Sequence, residues 1–259
     1  MGQTRGCSTR LIILDRFGST GSEFVPKPGA LRVPCVWQTG AVPTKLLRPV
    51  VLFDLDGTLA NSIDLIVESY QYAFATVAGR QVTRAQACSW IGQTLTQTFR
   101  TEDAERAAEL ETTYRAFNNS NLDRIMGYPG TPELLDGLRS AGAVTGVVTS
   151  KGRGAADASL RQVGLAGAID VLAARDDTTA HKPDPAPLLF ALAGLGAAPA
   201  EAAYVGDAVF DVQAARAAGM TAIAVTWGAG LTDELAGLGP DALCATMDEL
   251  RGVLMPTAS

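Results

Sequence analysis

Asp54 and Asp56 stand two positions apart at the end of the apolar run VVLF, and Gly57 and Thr58 follow them. Three later apolar runs also end in chemically capable residues. VTGVV leads into Thr149, Ser150 and Lys151; Lys182 sits in HKPDP; AAYVG leads into Asp207 and Asp211 of GDAVFDV. If these runs are neighbouring strands, one sheet edge collects four carboxylates, several hydroxyls and an ammonium. Carboxylates gathered so closely repel and raise each other's pKa. A divalent cation is the simplest neutraliser, and a donor set of oxygens without His or Cys suits Mg²⁺. Mg²⁺ readily shares its shell with a phosphate. Lys182, the hydroxyls of Thr58, Thr149 and Ser150, and loop N–H groups then complete a cradle for a small phosphorylated substrate.

Such an edge needs a frame. After residue 49, β-rich runs at 50–54, 144–150, 168–174, 202–207 and 221–227 alternate in their later part with amphipathic helical stretches. Gly142, Gly164, Gly196 and Gly219 close those stretches at the position that favours a left-handed residue. Strand–helix alternation with continuously apolar strands predicts an α/β fold, a parallel Rossmann-like sheet covered on both faces. Sites in such sheets lie beyond the C-terminal ends of the strands. Residues 63–127 interrupt the alternation with a wholly helical reading; Ile63, Ile66, Val67, Tyr70, Ala73, Phe74 and Val77 recur at helical spacing. The expected organisation is a catalytic core of 49–62 and 128–255 with a helical cap of 63–127 inserted. Linkers near 61–63 and 126–130 place the cap over the strand ends, where it acts as a lid.

Composition limits the partners. At 259 residues and 47% hydrophobic, the chain can bury a sizeable core, and its net charge of −6 argues against nucleic acid and anionic membrane. Cys7, Cys35, Cys88 and Cys244 have no CxxC spacing, which disfavours a disulfide framework or zinc site and predicts a reducing, cytoplasmic setting. No apolar run is long enough to span a membrane. The first 48 residues, rich in Gly, Ser, Thr and Pro, match neither a signal peptide nor a myristoylation site and are read as a disordered extension. The sequence says nothing of oligomeric state. The glycine-rich stretch GAGLTDELAGLG has no basic residue and is not read as a dinucleotide loop. Trp90, Tyr114 and Phe117 are expected in the cap core, and His181, the single histidine, is read as a loop residue beside Lys182 rather than a catalyst.

Taken in order, DLDGT, VVTS, HKPDP and GDAVFD resemble the four motifs of the haloacid dehalogenase superfamily of phosphohydrolases. The likeness covers about 49–255, and the insertion is similar to that superfamily's first type of cap. Within it, YPGTPELLDGLRSAG resembles the phosphoglycolate phosphatases and a related pyrophosphatase, while SWIGQTLTQTF and TYRAFN lean towards the pyrophosphatase. The resemblance implies roles. Asp54 is the nucleophile that forms an aspartyl-phosphate, and Asp56 the acid and base. Thr149 and Lys182 hold the phosphoryl oxygens. The metal takes the Asp54 side chain, the Asp56 carbonyl and Asp207; Asp211 reaches it through water or braces Lys182. In the cap, Gly92, Gln93, Thr94 and Arg115 are placed near the leaving group, with Arg115 of use if that group is anionic. The expected activity is a Mg²⁺-dependent phosphatase on a small, phosphoglycolate-like ester. A pyrophosphatase and a phosphomutase keep the same motifs, Asp56 argues against a dehalogenase, and the intact acidic set argues against a catalytically silent binding module.

Overall fold

A computed structural model describes residues 46–256. The extension expected for 1–48 lies almost wholly outside the described residues. Its last three do not: Leu46 and Leu47 pack on the core, the Leu47 N–H donates to Leu254 O at 2.9 Å, and Arg48 Nε donates to Thr221 Oγ1 at 3.1 Å.

Six parallel strands make the main sheet: β1 (Val50–Phe53), β4 (Val144–Val148), β5 (Val171–Ala173), β6 (Ala202–Gly206), β7 (Thr221–Val225) and β8 (Ala242–Cys244). Their order across the sheet is β5-β4-β1-β6-β7-β8. Counted among themselves, that is the 3-2-1-4-5-6 order of a doubly wound sheet, whose crevice opens between the first and fourth strands. Here those are β1 and β6, joined in register from Val50↔Ala202 to Phe53↔Val205. β8 went unread in the sequence; three residues are too short a run to show a period.

Alternation along each strand divides the core in two. Val51, Phe53, Val147, Val205 and Ile223 face α5 (Thr131–Ser140), α6 (Arg153–Gln162) and α10 (Met247–Leu254). Val50, Leu52, Val148, Tyr204 and Ala224 face α7 (Ala186–Leu195), α8 (Val209–Ala218) and α9 (Thr232–Gly237). Both faces of β1 are fully covered, which is why its four residues can all be apolar. The four helix-closing glycines all have positive φ, as their positions predict.

The insertion hangs on a two-stranded antiparallel ribbon, β2 (Ala60–Asn61) and β3 (Met126–Gly127). Between them lie α1 (Ile63–Ala78), α2 (Arg84–Trp90), α3 (Leu95–Glu102) and α4 (Ala107–Asn119). Their shared interior is an aromatic cluster of Tyr70, Phe74, Trp90, Phe99 and Tyr114, with ring centroids 4.8–6.0 Å apart. Such pairs add to the area term when edge-on or offset. Phe117 instead stacks on Tyr72 at 4.6 Å near the surface. Within the cluster's polar seam, Asn118 Nδ2 donates to Ser69 Oγ at 3.1 Å and ties α4 to α1. Among the described residues, no helix is long and apolar enough to cross a membrane.

Candidate active site

The site grows from the crevice between β1 and β6. The chain leaves β1 at Asp54, whose N–H still donates to Val205 O at 2.8 Å, so the carboxylate is anchored by sheet pairing. Gly57 then turns the chain with φ +84°, and a Cβ there would lie 2.3 Å from Asp207 Oδ2. Only glycine permits both the conformation and the close approach. β6 delivers Asp207, and the first turn of α8 delivers Asp211. Lys182 enters from the loop between β5 and α7, its side chain only 1% exposed.

Lys182 Nζ donates to Asp54 Oδ1 at 2.9 Å, Asp211 Oδ1 at 2.7 Å and the Tyr204 hydroxyl at 3.0 Å. Burial opposes its charge, but Asp211 and Asp54 outweigh burial and hold its pKa well above the usual lysine value. Asp54 moves the other way for a carboxylate. Burial pushes its pKa well up; Lys182 pulls it down, and Asp211, Asp207 and Asp56 add to the rise. One ammonium shared between two carboxylates cannot satisfy both. Burial, then Asp211, likewise raise Asp207 to about 7.

A donor set for a cation follows from this balance. Oxygens of Asp54, Asp207 and Asp211 lie within 4.8 Å of one another. If all were ionised, these three and Asp56 would set four negative charges against Lys182 and Lys151, an excess of two that one divalent cation would cancel. Asp54 Oδ1 keeps a lone pair for a cation beside its bond from Lys182, while Oδ2 has no hydrogen-bond partner among the described residues and stays open for attack. Asp207 accepts from Thr58 Oγ1 at 2.8 Å and from the Ala229 N–H at 2.7 Å, which leaves further lone pairs. Asp211 is more committed: besides Lys182, it accepts the Ala208 N–H at 3.0 Å. The residues present therefore fit a hard cation held mainly by Asp54 and Asp207.

Asp56 stands on the opposite side of the turn. Its Oδ1 accepts from Lys151 Nζ and from Ser62 Oγ, each at 2.7 Å. Lys151 also donates to Ser159 Oγ at 3.1 Å. Asp54, Asp56, Thr149, Ser150 and Lys151 line one cavity of about 70 Å³, closed from the insertion by Gly92, Gln93, Tyr114, Arg115 and Asn118. Ser150 Oγ donates to Gly92 O at 2.6 Å and so joins the two halves of its wall.

Of the residues singled out in the sequence, Asp54, Asp56, Thr149, Ser150, Gly92, Gln93 and Arg115 meet at this cavity. Lys182, Asp207 and Asp211 sit behind it in the buried network. The Thr58 hydroxyl, expected on phosphate, points instead at Asp207. Thr94 is buried and caps α3, its Oγ1 accepting the Gln97 N–H at 3.3 Å, away from the cavity. His181 lies on a separate outer groove, and burial lowers its pKa. Among the contributors that escaped the sequence reading are Tyr204 and the stretch around Gly228. Tyr204 hides inside an apolar strand yet donates to Val148 O at 2.8 Å and accepts from Lys182; a tyrosine among small residues in AAYVG was the available signal. The stretch around Gly228 and Ala229 wraps Asp207, and a Cβ on Gly228 would lie 2.1 Å from its Oδ2.

Comparison with known proteins agrees with this geometry. The chain is 36% identical over 201 residues to pyrophosphatase PpaX of Bacillus velezensis, covering 77% of this chain and 93% of the relative. The crystal structure of a predicted phosphatase from Clostridium acetobutylicum superposes with a TM-score of 0.72 at 27% identity, over 79% of this chain and 97% of that one. That of a predicted phosphoglycolate phosphatase from Haemophilus somnus gives 0.71 at 25%, over 78% and 96%. The family profile of the haloacid dehalogenase-like hydrolases matches residues 51–225, a span that holds all four strand-end motifs, and the chain belongs to that family.

Proposed function

We propose that the protein is a Mg²⁺-dependent phosphatase that hydrolyses a small, phosphoglycolate-like phosphate ester through a phosphoryl group carried on Asp54. One observation carries the reading: Asp54 has one oxygen fixed by Lys182 and the other without a partner, beside a cavity that it shares with Asp56.

Asp54 Oδ2 attacks phosphorus, and the bond from phosphorus to the leaving oxygen breaks. Asp56, protonated for this step, gives its proton to that oxygen. The resulting acyl phosphate is easier to hydrolyse than the ester. Asp56 then takes a proton from water, whose oxygen attacks phosphorus and releases the Asp54 carboxylate and inorganic phosphate. Each cycle consumes one water. Lys151 and Ser62 hold Asp56 in place between the two proton transfers. Thr149 and neighbouring N–H groups receive the phosphoryl oxygens, and Lys182 offsets charge on Asp54. Asp54, Asp207 and the Asp56 carbonyl would hold Mg²⁺, which would supply positive charge that lets two anions approach. Residues 63–127 act as the cap that closes over the strand ends and keeps bulk water out.

A pyrophosphatase is the second reading. The names of the curated relatives favour it, and the chemistry above serves a phosphate leaving group equally well. The deciding experiment is phosphate release from small phosphate esters and pyrophosphate, with Mg²⁺ and with chelator. Turnover only with Mg²⁺ is expected, with Ca²⁺ inhibiting because it accepts more ligands and ties up both Asp54 oxygens. Full activity in chelator, or with Ca²⁺ alone, contradicts the reading.

A further inference from the structure

Two guanidinium groups line the cavity that holds Asp54 and Asp56. Arg115 comes from α4 of the insertion, and Arg175 from the short helical turn Arg175–Asp177 that follows β5 in the core. Glu111, one turn before Arg115, joins them. Its Oε1 accepts from Arg115 Nε at 3.0 Å and Nη2 at 2.5 Å, and lies 3.6 Å from Arg175 Nη1. Its Oε2 accepts from Thr96 Oγ1 at 2.8 Å. Asp176 braces Arg175 from behind, accepting from Nε at 3.1 Å and Nη2 at 2.8 Å. Neither Glu111 nor Asp176 lines the cavity, whereas both arginines do. The carboxylates therefore orient the guanidinium groups from outside. Arg115 Nη1 and Arg175 Nη1 donate no hydrogen bond among the described residues. The side chains are 34% and 23% exposed, so neither is a freely solvated surface arginine.

A guanidinium presents donors in a fork that matches a carboxylate or a phosphate. We propose that Arg115 and Arg175 together bind a second anionic group, carried on the leaving group of the substrate. The proposal rests on the phosphohydrolase reading above and narrows its substrate class to small phosphates whose leaving group is itself a carboxylate or a phosphate. Because one arginine belongs to the insertion and the other to the core, the same anion draws the two parts together around it. Before that anion arrives, Glu111 bridges the pair and offsets their mutual repulsion.

The test compares kcat/KM for pyrophosphate, phosphoglycolate and an aryl phosphate with a neutral leaving group. Wild type is set beside Arg115→Ala, Arg175→Ala and Arg175→Lys, with thermal unfolding to verify the fold. The ratio of the preferred anionic substrate to the aryl phosphate should fall about 10- to 100-fold in each Ala variant, chiefly through KM. Arg175→Lys, which keeps the charge but not the fork, should recover part of that loss. A loss confined to pyrophosphate assigns the subsite to a phosphate; one confined to phosphoglycolate assigns it to a carboxylate. An unchanged ratio, whether activity holds or falls equally on all substrates, overturns the subsite and leaves the phosphatase standing. Should Arg175→Ala fail to fold, the ratio in Arg175→Lys decides alone: a fall supports the subsite, and a wild-type value overturns it. No phosphate release by wild type from any of the three removes the underlying reading and this one with it.

Discussion

The core and the insertion solve opposite problems with opposite materials. At the strand ends of the core, Asp54, Asp211, Lys182 and Tyr204 are buried and cross-linked by hydrogen bonds of 2.7–3.2 Å, and Asp207 is buried beside them on Thr58 and Ala229. The interior of the insertion is a cluster of aromatic rings with Asn118 and Ser69 as a polar stitch. A buried charged network is unforgiving, because removing one member leaves the others unpaired. An apolar core tolerates exchanges that conserve volume. Changes in the core should therefore abolish chemistry, and changes in the insertion should re-rank substrates.

The sharpest way to break this contrast is Asp54→Asn. Loss of about 10⁴-fold or more in kcat is expected, with wild-type circular dichroism; near-normal turnover would put the chemistry elsewhere. Lys182→Met comes next. It leaves two buried carboxylates without their ammonium, and urea unfolding should read a loss of about 3–5 kcal/mol. A change within error would mean that the network is less coupled than its distances indicate. Replacing residues 66–121 by a short linker spares Leu65, Leu122 and Ile125, which pack with the core rather than with the insertion. Such a protein should still hydrolyse an activated aryl phosphate, while its preference for small substrates falls by roughly 10- to 100-fold. Undiminished discrimination would show that the insertion does not gate the site.

Smaller effects sharpen the same line. The Asp207 pKa is raised to about 7, so in metal-free protein its stabilising contribution is complete below the ordinary carboxylate value and is lost as pH rises through about 7. A cation competes with those protons. At Mg²⁺ near 100 times its Kd, stabilisation of about 2–3 kcal/mol is expected at about pH 8 and clearly less at about pH 5. Equal shifts in melting temperature at both would detach the cation from Asp207. Smallest of all, Thr83→Ala removes the capping box that Thr83 and Gln86 form at the start of α2. It should cost about 1 kcal/mol and leave kcat untouched; a fall in kcat would tie this helix to the chemistry.

Much of the core was legible because the signals are local. An apolar run that ends in DLDGT or GDAVFD announces both a strand and the end at which its side chains meet. What the sequence hid depends on distance across the fold. Lys151 is visible at a strand end, but its bond to Asp56 spans 95 positions and no local signal announces it. Glu111 and Arg175 are 64 positions apart, on different elements. Thr58 was assigned by its type, but its direction was set by Asp207, 149 residues later. The ribbon of β2 and β3 has two residues per strand, too few for any period to register.

The central place of β1 has a consequence for synthesis. Val50 pairs with Val144 on one side and with Ala202 on the other. At the usual pace of translation, about 5–20 residues per second, β1 waits roughly 5–20 s for its first neighbour and longer for its second. During that wait an apolar strand is exposed on the growing chain, while α1 to α4, whose contacts are mutual and near in sequence, are already complete. The insertion is therefore expected to fold on the ribosome before the sheet that carries it. Nascent chains stalled at about residue 165, with roughly the last 35 residues still inside the exit tunnel, should show Tyr70 and Trp90 protected and Val50–Phe53 still open to protease. The opposite order would mean that the sheet nucleates first.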